Sequence, residues 1–288
     1  MSSIVIGASG IVGGHIVDQL VLAGERPIAV SRTHRAAANV DWLQADLAAP
    51  QTLEWPPATT LYCTAHVGLM ADALPYLFKP SLTRVVAFTS TSIVTKMNSE
   101  LAAERDSVRQ WAEAEQRLID TCARLGVAWT VLRPTIIYDE GRDANITRLA
   151  RLVTKLGFMP LAGSGSGLRQ PVHAQDLAIG ALAAANSLAA ANRIYAIPGT
   201  DTVSYREMIG RIFDGLHKPR RVIPVPPWLW RTAFALAKPF IANANVAMGN
   251  RMSKNMIFDP APAVRDFGWT PRPFRPVFLS RSGEPDAT

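Results

Sequence analysis

Charge, cysteine and long apolar runs are all scarce in this chain of 288 residues. Asp, Glu, Lys and Arg make up only 18%, while 48% is hydrophobic, which excludes a disordered polyelectrolyte and leaves ample material for a core. Two cysteines, Cys63 and Cys122, are too few for a disulfide framework or a thiolate metal centre. One falls in an expected strand and the other in an expected helix, the places of small buried apolar residues. No metal site is expected, and neither low-complexity tracts nor a solenoid-length repeat occurs. The most membrane-like stretch, Trp228 to Ile241, is broken by Arg231, Lys238 and Pro239. It falls short of the ~20 apolar residues that a span requires. It reads as a buried or half-exposed helix, with Pro226–Ile241 as a candidate membrane-surface helix. The start, Met1-Ser2-Ser3-Ile4, has no charged leader region and runs at once into a strand, so the expected location is cytoplasmic.

Positive charge is in modest excess, with 30 Lys and Arg against 23 Asp and Glu. Apart from Lys218, Arg220 and Arg221 the basic residues are scattered, with no aromatic-interleaved stripe, so nucleic acid is not the expected partner. A small anionic ligand accounts for the surplus equally well.

Short β-rich runs alternate with helical patterns through the first half. Strands are expected at Ser3–Gly7, Pro27–Ser31, Val40–Ala45, Thr60–Ala65, Arg84–Ser90 and Val127–Leu132, the last cut off by Pro134. Helices are expected at Ile11–Ala23 and Ser99–Leu125, with Gly24 and Gly126 placed to end them. Buried, β-branched strands alternating with helices imply a parallel sheet covered on both faces, an α/β doubly wound fold of Rossmann type. After Pro134 helical patterns and Gly/Pro connectors take over. The expected organisation is a dinucleotide-binding domain over 1–134 and a smaller substrate lobe over 135–288, with strands free to return to the sheet.

The sharpest signal is Ser3-Ile-Val-Ile-Gly7-Ala-Ser-Gly10-Ile-Val-Gly13. Gly7 permits a tight turn off the strand, Gly10 lets backbone approach a pyrophosphate, and Gly13 lets the following helix pack closely on the sheet. That helix presents free N–H groups and a positive dipole end to the phosphates. A three-glycine string alone is weak. Following an apolar strand and opening a helix, it indicates a nicotinamide dinucleotide. The end of the second strand reads Ser31-Arg32-Thr33-His34-Arg35, without a carboxylate for a ribose hydroxyl. Arg32 is the candidate clamp for a 2′-phosphate, with Ser31 and Arg35 as helpers, so NADP(H) is expected over NAD(H).

Together these motifs resemble the extended branch of the short-chain dehydrogenase/reductase superfamily, the NAD-dependent epimerase/dehydratase family. The resemblance rests on the glycine loop, Ala45-Asp46-Leu47, Cys63-Thr64-Ala65, Phe88-Thr-Ser-Thr-Ser-Ile93, Leu132-Arg-Pro-Thr-Ile-Ile-Tyr138 and Arg169-Gln-Pro-Val-His-Ala-Gln-Asp-Leu-Ala178. It implies cofactor contacts at Gly7, Ser9, Gly10, Ile11, Val12, Gly13, Ser31, Arg32, Asp46, Leu47, Thr64, Ala65, Thr89, Ser90 and Pro134. It also implies that Arg169 contacts a nucleotide-sugar phosphate, and it admits a homodimer.

One departure stands out. The family's Tyr-x-x-x-Lys pair on the long helix aligns with Ser107 and Trp111, and no tyrosine occurs between Tyr76 and Tyr138. Thr91, with Ser90 and Ser92 beside it, and Tyr138 are the candidate catalytic groups, and His66 is a candidate proton carrier. Trp111 can simply fill the slot of the lysine. His173 reads as structural, Asp176 as the cap of a helix over Leu177–Asn186, and Asn145 as a substrate-lobe candidate. The expectation is an oxidoreductase or a nucleotide-sugar epimerase/dehydratase-like protein. The alternative is a non-catalytic NADP(H)-binding sensor or assembly factor.

Overall fold

The computed structural model describes residues 2–226 and 252–278. In chain order the elements are β1 (Ser3–Ile6), α1 (Ile11–Leu22), β2 (Ile28–Ser31), β3 (Asp41–Gln44), β4 (Thr60–Cys63), α2 (Val67–Leu77), β5 (Arg84–Phe88), α3 (Ser92–Thr95) and α4 (Ala102–Leu125). There follow β6 (Ala128–Pro134), β7 (Ile137–Tyr138), α5 (Ile146–Leu156), β8 (Met159–Ala162), β9 (Leu168–Arg169), β10 (Val172–His173) and α6 (Ala174–Asn186). The last are β11 (Arg193–Ile197), β12 (Val203–Ser204), α7 (Tyr205–Gly215), β13 (Val222–Val225) and α8 (Ala261–Phe267). The stretch from Trp228 to Ile241 lies outside the described residues.

Two compact units are present. Unit 1 takes Met1–Ile136, Val172–Thr200 and Phe258–Arg272, and unit 2 takes Ile137–Pro171, Asp201–Ile257 and Pro273–Thr288. The chain therefore leaves unit 1 after Ile136 and comes back to it twice.

Unit 1 is built on a seven-stranded parallel sheet in the order β11-β6-β5-β4-β1-β2-β3. This is the doubly wound α/β arrangement. Chain order reverses at β1, which pairs with β2 on one side and β4 on the other, and such reversals open a crevice beyond the strands' carboxyl ends. The central strands are apolar without alternation because helices cover both faces: β1 and β5 are buried at every position. Helices α2 and α4 pack together, as do α1 and α6. The core joins Ile4, Ile6 and Leu61 of the sheet to Met70 and Leu74 of α2 and to Leu118 and Cys122 of α4. Burial pushes the thiols of both Cys63 and Cys122 up to about 12, so neither serves as a thiolate near neutral pH.

Two expectations need correcting here. Helix α6 begins at Ala174 rather than Leu177, and its cap is His173, whose Nδ1 accepts the Gln175 N–H at 3.0 Å. Asp176 thus lies inside the first turn, where its carboxylate accepts from the backbone N–H of Arg272 at 2.9 Å and from that residue's guanidinium. It fastens the segment after α8 rather than capping the helix. Strand β6 also runs through Pro134, because the partner β11 pairs with it in parallel register up to Ile197.

In unit 2, β8 pairs in parallel with β13, β9 pairs antiparallel with β12, and α5 packs on α7. Among the described residues no helix is long and apolar enough to cross a membrane.

Candidate functional site

A cleft of about 420 Å³ lies beyond the carboxyl ends of β1 to β4. It is bounded by Gly7, Ser9 and Gly10 after β1, Ser31 and Arg32 after β2, Asp46 and Leu47 after β3, and Thr64, Ala65 and His66 after β4. All of these belong to unit 1.

The loop after β1 owes its shape to glycine. Gly7 sits at φ +79°, a region costly for side-chain-bearing residues, and its carbonyl accepts the Gly10 N–H at 2.9 Å. Thr64 straps this turn from β4, its Oγ1 within hydrogen-bonding distance of the carbonyl oxygens of Ile6 (3.2 Å) and Gly7 (3.1 Å). A Cβ on Gly13 would stand 2.2 Å from the Gly7 oxygen, so only glycine lets α1 come this close. Gly10 occupies the cap position of α1 with no side chain to bond the helix's first N–H groups. Those donors and the positive end of the helix dipole are left for an external anion. Ile11 is half-buried and Val12 buried in the first turn.

At the end of β2, Arg32 is exposed on the cleft wall and its guanidinium makes no hydrogen bond or ion pair among the described residues. Ser31 beside it in the chain is buried, its Oγ accepting the Thr33 N–H at 3.2 Å. Arg35 is not part of this wall. It stacks over the Trp42 ring at 5.6 Å from the centroid. Asp46 shapes the next turn by accepting the Ala48 N–H at 2.9 Å, and Leu47 beside it is buried.

The polar side chains that the sequence offered for chemistry are mostly committed to structure. Thr91 is 7% exposed and its hydroxyl donates to the Pro134 carbonyl at 2.9 Å. The Ser90 hydroxyl accepts the Ser92 N–H at 3.1 Å. His66 caps α2, with Nδ1 accepting the Gly68 N–H at 3.2 Å. Its neutral ring must therefore carry the proton on Nε2, which makes that nitrogen a donor and not a base. Trp111 stands edge-on to the His66 ring, centroids 6.4 Å apart, while Ser107 is exposed.

In unit 2, Tyr138 is 1% exposed and packs edge-to-face on Phe274. Arg169 is 3% exposed, donates to the carbonyls of Leu168 and Lys254 at 2.7 Å each, and lies over the Tyr205 ring. That is the environment of an arginine holding two chain segments together. Asn145 donates to the Ile137 carbonyl, and the start of α5 is held by Asp143, which accepts the Thr147 N–H.

One cluster escaped sequence reasoning. Glu115 on α4 is 3% exposed, accepts the Thr89 hydroxyl at 2.7 Å, and receives Arg133 of β6 in a two-pronged pair through Nε (3.1 Å) and Nη2. It lies one helical turn beyond Trp111. Its only sequence cue was a charged residue on the apolar side of α4, and nothing local named its partners.

No protein-family model matches the chain. It is 24% identical to the UDP-glucose 4-epimerase of Vibrio cholerae over 94% of this chain and 90% of that one. Its fold is that of the nucleotide-sugar epimerases. The solved UDP-glucuronic acid 4-epimerase of Bacillus cereus, a complex with UDP-glucuronic acid and NAD, superimposes with a TM-score of 0.70. That match has 12% identity and covers 94% of each chain. A second relative, at 22% identity over 82% of this chain, is the mitochondrial NADH dehydrogenase [ubiquinone] 1 alpha subcomplex subunit 9 of Arabidopsis thaliana, of which the match spans 62%.

Proposed function

We propose that the chain binds NADP(H) in the cleft beyond β1 to β4 and works as an oxidoreductase or nucleotide-sugar epimerase/dehydratase on a small anionic substrate. The observation that carries this reading is the uncapped start of α1 beside Gly7 and Gly10, opening on the same cleft as Arg32, whose guanidinium has no partner among the described residues. Oriented N–H groups suit a pyrophosphate, and a planar guanidinium suits a terminal phosphate. In this reading Ser9, Gly10, Ile11, Val12 and Gly13 hold the pyrophosphate through backbone, and Arg32 with Ser31 holds the 2′-phosphate. Asp46 and Leu47 flank the adenine, and Thr64, Ala65, Thr89, Ser90 and Pro134 border the nicotinamide half. The bound dinucleotide supplies a hydride donor or acceptor.

The chain's own part in proton transfer is restricted. Thr91 has its proton engaged by the Pro134 carbonyl, which leaves the Oγ1 lone pairs to orient a substrate hydroxyl. Tyr138 and Arg169, buried and bonded, are not assigned to substrate. The test is to incubate the protein with UDP-glucose and UDP-glucuronic acid and follow the sugar by NMR with and without dinucleotide. Dinucleotide-dependent conversion that is lost in Gly10→Asp and kept in Ser107→Ala is the expected result.

A second reading, a non-catalytic NADP(H)-binding sensor or assembly factor, is favoured by one observation: α4 carries neither tyrosine nor lysine. The similarity to a subunit of the NADH dehydrogenase 1 alpha subcomplex supports it as well. Bound NADPH that is never oxidised by any carbonyl or sugar-nucleotide substrate would decide for this reading.

A further inference from the structure

The positive surplus of the chain is not shared between its two units. Unit 2 holds 16 Lys and Arg against 8 Asp and Glu, whereas unit 1 holds 14 against 15. A dinucleotide cleft in unit 1 therefore does not account for the basic balance, and the excess calls for a second explanation.

Within unit 2, α5 is the described element on which basic and apolar side chains are exposed together. Arg148, Arg151 and Lys155 follow one another at spacings of three and four, so they share one side of the helix, and all three are exposed. Leu152 and Leu156 lie four apart on the adjoining flank, 39% and 42% exposed, and Phe158 just past the helix is 38% exposed. The opposite side, with Ile146, Ala150 and Val153, is buried. No acidic residue occurs on α5 or anywhere from Ala144 to Gln175. Arg148 and Lys155 make no hydrogen bond or ion pair among the described residues, and Arg151 makes only a long one, 3.4 Å, to the Gly141 carbonyl. The bias continues in the sequence of the same unit, where seven basic residues and no acidic one separate Asp214 from Asp259.

We infer that the outer face of α5 docks on an anionic lipid surface, its three cations meeting headgroup phosphates and Leu152, Leu156 and Phe158 entering the headgroup–acyl boundary. Exposed leucines next to cations without an acidic partner among the described residues, on a helix too short to span, have the chemistry of a helix lying in the membrane plane. A nucleic acid would use the cations but gains little from two leucines, since its bases stack on aromatic or guanidinium planes. The inference is independent of the reaction assigned to unit 1.

The test is flotation of the full-length protein with phosphatidylcholine vesicles, with and without about a third phosphatidylserine. Binding to the anionic vesicles only, reduced by high salt, is the expected result. Arg148→Glu/Arg151→Glu/Lys155→Glu should weaken the partition by at least about a hundredfold, given roughly fivefold per cation near such a surface. Leu152→Ser/Leu156→Ser should weaken it less and leave the salt dependence intact. Arg26→Glu/Arg109→Glu, which reverses exposed charges of unit 1, should leave it unchanged. Equal flotation of the triple variant and the parent would overturn the inference. So would binding to a short DNA or RNA duplex without vesicle binding, or a fall in Tm of the triple variant, which would assign the face to contacts within the chain.

Discussion

The cleft beyond β1 to β4 and the polar side chains after β4 and β5 have been treated differently by this sequence. At the phosphate end, donors are left open: the first turn of α1 is uncapped and Arg32 has no partner among the described residues. After β4 and β5 the imidazole and the hydroxyls are already spent, His66 on the start of α2 and Thr91 on the Pro134 carbonyl, while Thr89 is locked to Glu115. Binding needs unsatisfied donors and proton transfer needs a free acid or base. The contrast separates recognition of a dinucleotide from chemistry upon it.

The largest effect is expected where the phosphate end has no slack. Gly13→Val drives a side chain into the Gly7 carbonyl, a backbone atom that no rotamer change can move aside, and should cost more than about 3 kcal/mol in denaturant unfolding as well as all dinucleotide binding. If Gly13→Val bound dinucleotide normally, the loop would not be the site.

Glu115→Ala comes next. It leaves Arg133, only 21% exposed in its side chain, without its counter-charge, and should cost about 3 kcal/mol. Glu115→Gln, which keeps an acceptor for Thr89, should recover much of that loss. A Glu115→Ala protein as stable as the parent would show that the cluster is not what fixes α4 to β5 and β6.

His66→Ala should cost about 1 kcal/mol, as the loss of a helix cap does, and should leave any turnover unchanged. Turnover that collapses with stability intact would restore His66 as a chemical group.

The smallest effect appears only in acid. Asp266 is held well below its ordinary value of 3.8, at about 2, by the Arg265 guanidinium and the Tyr195 hydroxyl. Its contribution is complete above 3.8 and disappears as the pH falls towards 2. Asp266→Asn should therefore flatten the fall of Tm over that interval and leave dinucleotide binding at neutral pH unaltered.

What could be read from the sequence alone follows the range of the forces involved. The glycine loop was legible because its requirement is local: a positive φ at Gly7 and a missing Cβ at Gly13 are properties of single positions. The parallel sheet was legible because strands buried on both faces lose their alternation. The start of α6 was misplaced because histidine is not a usual cap, yet His173 caps it through a ring nitrogen. Helix α2 went unremarked, since Gly68 and Pro75 disguise its period. The cluster of Thr89, Glu115 and Arg133 could not be anticipated, because each residue comes from a different element and only the fold sets them side by side. Arg169 was legible only as a motif, and nothing local showed that it would donate to the Leu168 and Lys254 carbonyls and lie over the Tyr205 ring.

We propose that the cleft takes a 2′-phosphorylated dinucleotide, and fluorescence titration of the protein with NADPH and NADH is the experiment that decides it. NADPH should bind more tightly than NADH, with Arg32→Ala weakening NADPH by about ten- to a hundredfold, the worth of a charge-assisted hydrogen bond, and leaving NADH unchanged. Equal affinity for the two, or an Arg32→Ala protein that binds NADPH as well as the parent, would contradict it.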